Sequence, residues 1–145
     1  MKLISHRGNL HGPNSCKENH PDSILSALEA GFDCEVDVYK IQDKFYLGHD
    51  WPEHLVEKEF LNNPKLWIHC KSLSTLTALL DLNTNVFYHQ NDPYTLTSKN
   101  IIWTYSGWPT NGNCVIVDQE GKFDYDCYGV CSDWVGDCVH LDDKK

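Results

Sequence analysis

The sequence predicts an α/β domain built as a reduced, incomplete parallel (β/α) barrel, and three observations point there. A strand, a helix and a second strand succeed one another within the first 40 residues. Several later apolar runs read as further strands, and the connections between the last of these hold no helical pattern of ten or more residues. Seven main strands with helices early and loops late describe a barrel whose shortened second half lacks several outer helices. A complete eightfold barrel takes about 250 residues, so a chain of 145 must omit part of the ring. The same length allows one domain, residues 1–145, and no second.

Taken in order, residues 2–6 form a strand that delivers His6 to its carboxyl end, with Arg7 and Gly8 at the turn that follows. Residues 9–20 are a loop rich in Asn, Gly, Pro and His. A helix starts near Pro21, a residue suited to the first helical position, and Asp22 complements the positive end of the dipole. Ile24, Leu25 and Leu28 are its expected buried stripe and Gly31 its C-cap. The strand Cys34 to Val38 comes next. Val36 and Val38 take one side of a period-two pattern, and Glu35 and Asp37 take the other. Inside a sheet, two like charges on adjacent positions of one face are costly unless a cation or a set of donors lies between them. Hard oxygen ligands at a sheet mouth point to a divalent metal.

Residues 44–49 form a short strand that pairs as an arm beside the main sheet, and residues 53–62 read as helical. A third main strand, Leu66 to Lys71, sets His69 and Lys71 on one face. Ser72 or Ser74 caps the next helix, whose apolar positions 73, 76, 79 and 80 follow a 3.6 period. Residues 86–90, 101–106, 114–118 and 128–132 are further strands, and 107–113 is a loop. Parallel strands need crossovers of about a dozen residues, and the stretch between 106 and 114 is short for one. Apolar sheet surface left bare by missing helices suits a second copy of the chain, so a homodimer is expected, with Trp103, Trp108 and Trp134 either at that contact or in ordinary packing.

Charge narrows the partners. Twelve basic residues against 21 acidic ones give a net charge of −9, and Arg7 is the single arginine. A nucleic-acid partner would demand a positive face. A small anionic substrate remains compatible where positive charge is local. The absence of a signal-like leader and of any run of about 18 apolar residues predicts a cytoplasmic protein with no membrane partner. Of seven cysteines, Cys34, Cys70 and Cys114 sit in strand patterns as core filling. Cys127, Cys131 and Cys138 lack a Cys-x-x-Cys pair for zinc, and disulfides among them stay open.

His6-Arg7-Gly8, Glu18-Asn19, Glu35-x-Asp37 and His49-Asp50, in that order and spacing, resemble the glycerophosphodiester phosphodiesterase family of the phospholipase-C-like TIM barrels. The match spans residues 3–50, thins through Lys71, and ends in Gly129 to Asp133, which resembles the family's last-strand Gly-x-x-Thr-Asp. The resemblance implies a short, divergent member with a TIM-like barrel and a phosphodiester-hydrolysing site. It departs at the third strand, where the family's Glu-x-Lys is His69-Cys70-Lys71. Glu35, Asp37 and His69 are then the metal set. Two carboxylates and one imidazole make a softer shell than three carboxylates, with Mg²⁺ or Mn²⁺ foremost and Ca²⁺ or Zn²⁺ open. The alternative is that His69 bonds Glu35 or substrate and leaves the metal alone.

The chemistry follows from these residue types. Arg7, Lys71 and the metal neutralise phosphoryl oxygens. His6 and His49 divide the proton transfers, and the resemblance favours His6 as base and His49 as acid. Glu18 is expected to brace Arg7 or the first loop. His89, with Trp103, Tyr105 and Trp108, is a candidate pocket wall, whereas His11, His20 and His54 read as solvated. Two alternatives remain at this point: a phospholipase-D-like lyase of the same superfamily, and an inactive barrel serving as a binding protein.

Overall fold

The computed structural model describes residues 1–142. The strands are β1 (Lys2–His6), β2 (Asp33–Ile41), β3 (Lys44–Leu47), β4 (His54–Val56), β5 (Leu66–Cys70), β6 (Asn85–Phe87), β7 (Tyr94–Leu96), β8 (Ile102–Tyr105), β9 (Cys114–Val117) and β10 (Gly129–Ser132). The helices are α1 (Pro21–Glu29), α2 (Lys58–Leu61), α3 (Leu73–Leu79) and α4 (Val135–Asp142).

These elements correct the predicted fold class. The ten strands form one curled, mixed sheet, a half-barrel with few helices, and the reduced TIM-like α/β barrel is not what the chain adopts. Parallel pairing runs β6, β5, β2, β1, β10, β9, β8. β7 adds antiparallel to β8, and the β3–β4 hairpin adds antiparallel to the outer half of β2. One edge of the long β2 therefore serves two partners in succession, β1 along residues 33–35 and β3 along 38–41, while its other edge pairs with β5. Residues 53–62, expected to be helical, divide into β4 and the single turn α2. The physical reason for the departure from a barrel lies after β6. Residues 88–101 make a short antiparallel strand and turn instead of a helix, and 106–113 cross from β8 to β9 as a loop.

The sheet separates two apolar layers. On the outer face Cys34, Val36, Val38, Leu66, Ile68 and Val86 pack against Ile24 and Ala27 of α1 and Leu79 of α3. Leu25, expected inside, is half-exposed, because Ala27 takes the buried side of that short helix. On the concave face Ile4, Trp67, Phe87, Trp103, Val115, Val117 and Cys131 form a second cluster, each full burial worth about 1.5–3 kcal/mol for a side chain of this size. Trp103 is thus interior, while Trp108 is exposed. Helices cover the β2–β5 side, whereas the flank of β7 and β8 keeps an open groove walled by Tyr94, Leu96, Ile102 and Pro109. Among the described residues no helix is long and apolar enough to cross a membrane and no disulfide forms.

The curl brings the free edge of β6 near the turn that leads into β8, and side chains close that seam where no strand ladder does. Ser98 Oγ accepts from Val86 N at 2.9 Å and donates to Thr84 O at 3.1 Å, while Ser98 N donates to Val86 O at 2.9 Å. Phe87 stacks on Trp103 across the same seam, with ring centroids 4.6 Å apart. Replacing Ser98 with Ala strands the Val86 donor of β6 and the Thr84 acceptor just before it, which should cost about 1–3 kcal/mol. A urea titration of wild type and Ser98→Ala checks this, and equal midpoints would show that the seam needs no polar closure.

Candidate functional site

Strand periodicity places the site. With Val36 and Val38 turned outward into the helical layer, Glu35 and Asp37 must turn into the concave face, where both are buried. Register then aligns the neighbours: His6 of β1 pairs opposite Glu35, and His69 of β5 opposite Asp37. A cavity of about 230 Å³ is lined by His6, Arg7, Glu35, Asp37, His49 and His69, with Trp103, Tyr105, Val117 and Gln119 across from them. Lys71, one residue past β5, reaches to 3.7 Å from Asp37 Oδ1. The residues that the sequence names for catalysis and metal binding therefore gather in one place, with Trp103 and Tyr105 beside them, whereas His89 and the exposed Trp108 do not line this cavity. A larger concavity between the loop after β1 and α1, about 630 Å³, collects none of the carboxylates named for the metal.

The two carboxylates have opposite surroundings. Asp37 N donates to Asn19 Oδ1 and Asn19 Nδ2 donates back to Asp37 Oδ2, both at 2.9 Å. Arg7 Nε lies 3.3 Å from Oδ2, and His69 Nδ1 lies 3.1 Å from Oδ1. Burial alone would raise the Asp37 carboxyl, but His69, Arg7 and Lys71 together hold it well below the usual range. Among the described residues Glu35 has one ion partner within 4.0 Å, His6 Nε2 at 3.7 Å, with Arg7 and His69 acting from farther off. Burial first and the neighbouring Asp37 charge second push its pKa up to about 7.

These carboxylates and His69 fit a cation. Among the described residues, Glu35 Oε2 and Asp37 Oδ1 are buried atoms without a hydrogen bond, and each of Glu35, Asp37 and His69 presents a ligand atom within 4.8 Å of the others. His69 is oriented for it. Its Nε2 donates to the His89 carbonyl at 3.0 Å, which leaves Nδ1 as the atom turned toward Asp37, the carbonyl-to-imidazole support usual for a metal-binding histidine. The ring also lies flat on Phe87, at 5.4 Å and 8°.

His6 and His49 are held differently. His6 Nδ1 donates to Asp133 Oδ1 at 2.8 Å, so Nε2 faces Glu35 and the cavity. Burial lowers the His6 pKa, but the Asp133 bond and the Glu35 charge outweigh it and the net shift is upward. Asn9 Nδ2 bridges Asp133 Oδ1, at 2.8 Å, and Glu18 Oε1, at 3.1 Å, and Glu18 in turn lies 3.7 Å from Arg7 Nη1. His49 comes from the β3–β4 hairpin. Gly48 sits where an added Cβ would fall 2.0 Å from the Trp51 carbonyl oxygen, so this loop folds tightly only with glycine there. Tyr39 Oη donates to the His49 carbonyl at 2.9 Å, and His49 Nδ1 bonds Asp50 at 2.8 Å. His20 caps α1 by accepting from Asp22 N, and half-exposed His11 pairs with Asp137, so neither belongs to the cavity's chemistry.

Sequence reasoning gave no role to Asn9 and none to Asp133 or Asn19 beyond their place in motifs. Asn9 carries no signal in a loop full of small polar residues. Asp133 was legible only as the end of the last-strand motif.

Comparison with protein-family models, with curated proteins and with solved structures finds no match. The likeness to glycerophosphodiester phosphodiesterases therefore rests on the motif residues themselves.

The shifts fix a pH dependence. Between its ordinary 4.5 and about 7, Glu35 binds a proton more often in the folded than in the unfolded chain, so stability falls as pH rises through that window. The upward shift of His6 acts in the same sense: its contribution is full below 6.5 and is lost as pH rises past the folded value. In EDTA the protein should melt about 5 °C lower at pH 8 than at pH 5.5. Mn²⁺ should restore wild type at pH 8, whereas Glu35→Gln should be more stable than wild type in EDTA and gain little from Mn²⁺. Melting of wild type that ignores both pH and cation would contradict the assignment.

Proposed function

We propose that the protein is a divalent-cation-dependent phosphodiesterase acting on a small, glycerophosphodiester-like diester. The observation that carries this reading is the pair of buried carboxylate oxygens without hydrogen bonds, Glu35 Oε2 and Asp37 Oδ1, beside His69, Arg7 and Lys71 in one cavity. A scaffold has no physical need to bury this charge arrangement.

Glu35, Asp37 and His69 Nδ1 would hold the cation. Once bound, it supplies positive charge to the phosphoryl oxygens. Arg7 and Lys71 bind the same anionic group, and Asp37, Asn19 and Glu18 keep the arginine aimed. His6 takes the proton from a substrate hydroxyl next to the phosphoester, through Nε2, because Asp133 holds a proton on Nδ1. The hydroxyl oxygen bonds phosphorus, the ester bond to the departing alcohol breaks, and His49 gives that alcohol its proton. Water then opens the cyclic phosphate with the two histidines in exchanged roles. A cation held by Glu35 would offset that carboxylate's upward pull on His6 and so favour the neutral imidazole that a base requires.

Turnover of 2-hydroxypropyl ethyl phosphate, whose alkoxide leaving group needs a proton, with Mn²⁺ or Mg²⁺ tests the reading. His6→Ala and His49→Ala should each lower it by about 10² or more with the melting cooperativity retained. Near wild-type rates in both would remove the histidine assignment. A cyclic phosphate that accumulates without opening would assign the lyase chemistry instead.

The same proteins test the cation shell. Calorimetric titration with Mg²⁺, Mn²⁺, Ca²⁺ and Zn²⁺ should show weaker binding in His69→Ala, and in His69→Glu a shift toward Mg²⁺ and Ca²⁺, since a hard oxygen replaces a borderline nitrogen. An identical affinity order and magnitude in all three proteins would make His69 a bystander.

A further inference from the structure

The charged groups of the cavity stand on one side of it. Glu35 and Asp37 belong to β2, His69 to β5 with Lys71 just beyond, and His6 to β1 with Arg7 just beyond. Because the parallel run goes β6, β5, β2, β1, β10, β9, β8, the curl carries β8 round to face β2 across the cavity. The far wall offers Trp103, Tyr105 and Val117, with Gln119 past the end of β9. Trp103 is 3% exposed and committed to stacking on Phe87 and Trp67, and Val117 is apolar.

Tyr105 is different. Its ring rests against His89, with centroids 5.2 Å apart, and its hydroxyl has no hydrogen-bond partner among the described residues. Burial, then the charge of Glu35, shifts the phenol upward, so it stays a neutral donor. His49 enters from the hairpin on the β2 side, which places the departing alcohol on that side and leaves the retained ester arm to lie toward β8. The cavity of about 230 Å³ equals about eight waters at ~30 Å³ each, so after the phosphate little space remains for that arm. A net charge of −9 disfavours a second anion.

We propose that Tyr105 determines specificity for the retained alcohol, its hydroxyl donating a hydrogen bond to an oxygen on a small, uncharged ester arm laid along the β8–β9 wall. This rests on the phosphodiesterase reading and assigns that site a residue which selects the substrate without joining the proton transfers.

Two diesters that differ in one atom test it. In 2-hydroxy-3-methoxypropyl p-nitrophenyl phosphate the arm carries an ether oxygen, and in 2-hydroxypentyl p-nitrophenyl phosphate a methylene stands in its place, with the attacking hydroxyl and leaving group unchanged. Wild type should prefer the ether in kcat/KM by about five- to tenfold, the worth of one neutral hydrogen bond. Tyr105→Phe keeps the ring against His89 and should bring the ratio close to one, a change that general damage to the fold would not produce. No preference in wild type overturns the proposal, as does a preference that survives Tyr105→Phe. A preference lost in Gln119→Ala but kept in Tyr105→Phe overturns it too, by moving the donor to Gln119. Wild type that turns over neither diester fails the phosphodiesterase reading itself, and the inference falls with it.

Discussion

Two carboxylates side by side on one strand, both turned into the concave face of a sheet, set the conditions that the rest of the molecule must meet. Their mutual repulsion in a buried setting is relieved unequally. Asp37 is surrounded by Asn19, Arg7, His69 and Lys71, while Glu35 is left with a distant imidazole. Meeting the needs of Asp37 shapes the backbone. Arg7 and Asn19 both adopt positive φ, 59°, and are tied to each other because Asn19 N donates to Arg7 O at 2.9 Å. Left-handed conformations at non-glycine residues cost on the order of 1 kcal/mol or more each. Here that strain points the arginine and the asparagine at one oxygen pair. The loop between β1 and α1 is thus folded around a charge that lies on β2.

The local rules carried the site further than they carried the fold. Alternation in Cys34 to Val38 was enough to place Glu35 and Asp37 on one face, and Pro21 marked the start of α1. The arm at residues 44–47 pairs with β2 as its spacing suggests. What failed was extrapolation. Strand-helix-strand in the first 40 residues invites a repeated unit, yet after β6 the chain turns back as β7 and crosses by loops. Nothing in the apolar pattern of residues 101–118 distinguishes strands backed by helices from strands left open, since their burial on the concave face writes the same runs. Asp133 and Asn9 were hidden for another reason. Asp133 bonds His6 from 127 positions away and Asn9 bonds Asp133 from 124, and contacts across the chain leave no periodic trace.

His69 also brings more to the cavity than a nitrogen beside Asp37. An imidazole presents a flat apolar surface as well as a nitrogen, and His69 uses it, lying parallel on Phe87, which in turn stacks on Trp103. A glutamate at 69 could offer an oxygen to a cation but not this stack. Position 69 therefore ties the chemistry of the cavity to the aromatic packing that holds the concave face together.

The parallel pairing of β1 with β10 joins the first strand of the described chain to the last. The bond from His6 to Asp133 is made across that pairing, so the imidazole acquires its orientation only when the final strand has docked. Such long-range contacts are the slow ones to form, because loop closure must precede any gain. During synthesis, a growing chain would carry its carboxylates and arginine early while the histidine beside them stayed unaimed. Completion of the sheet and orientation of His6 would then be one event.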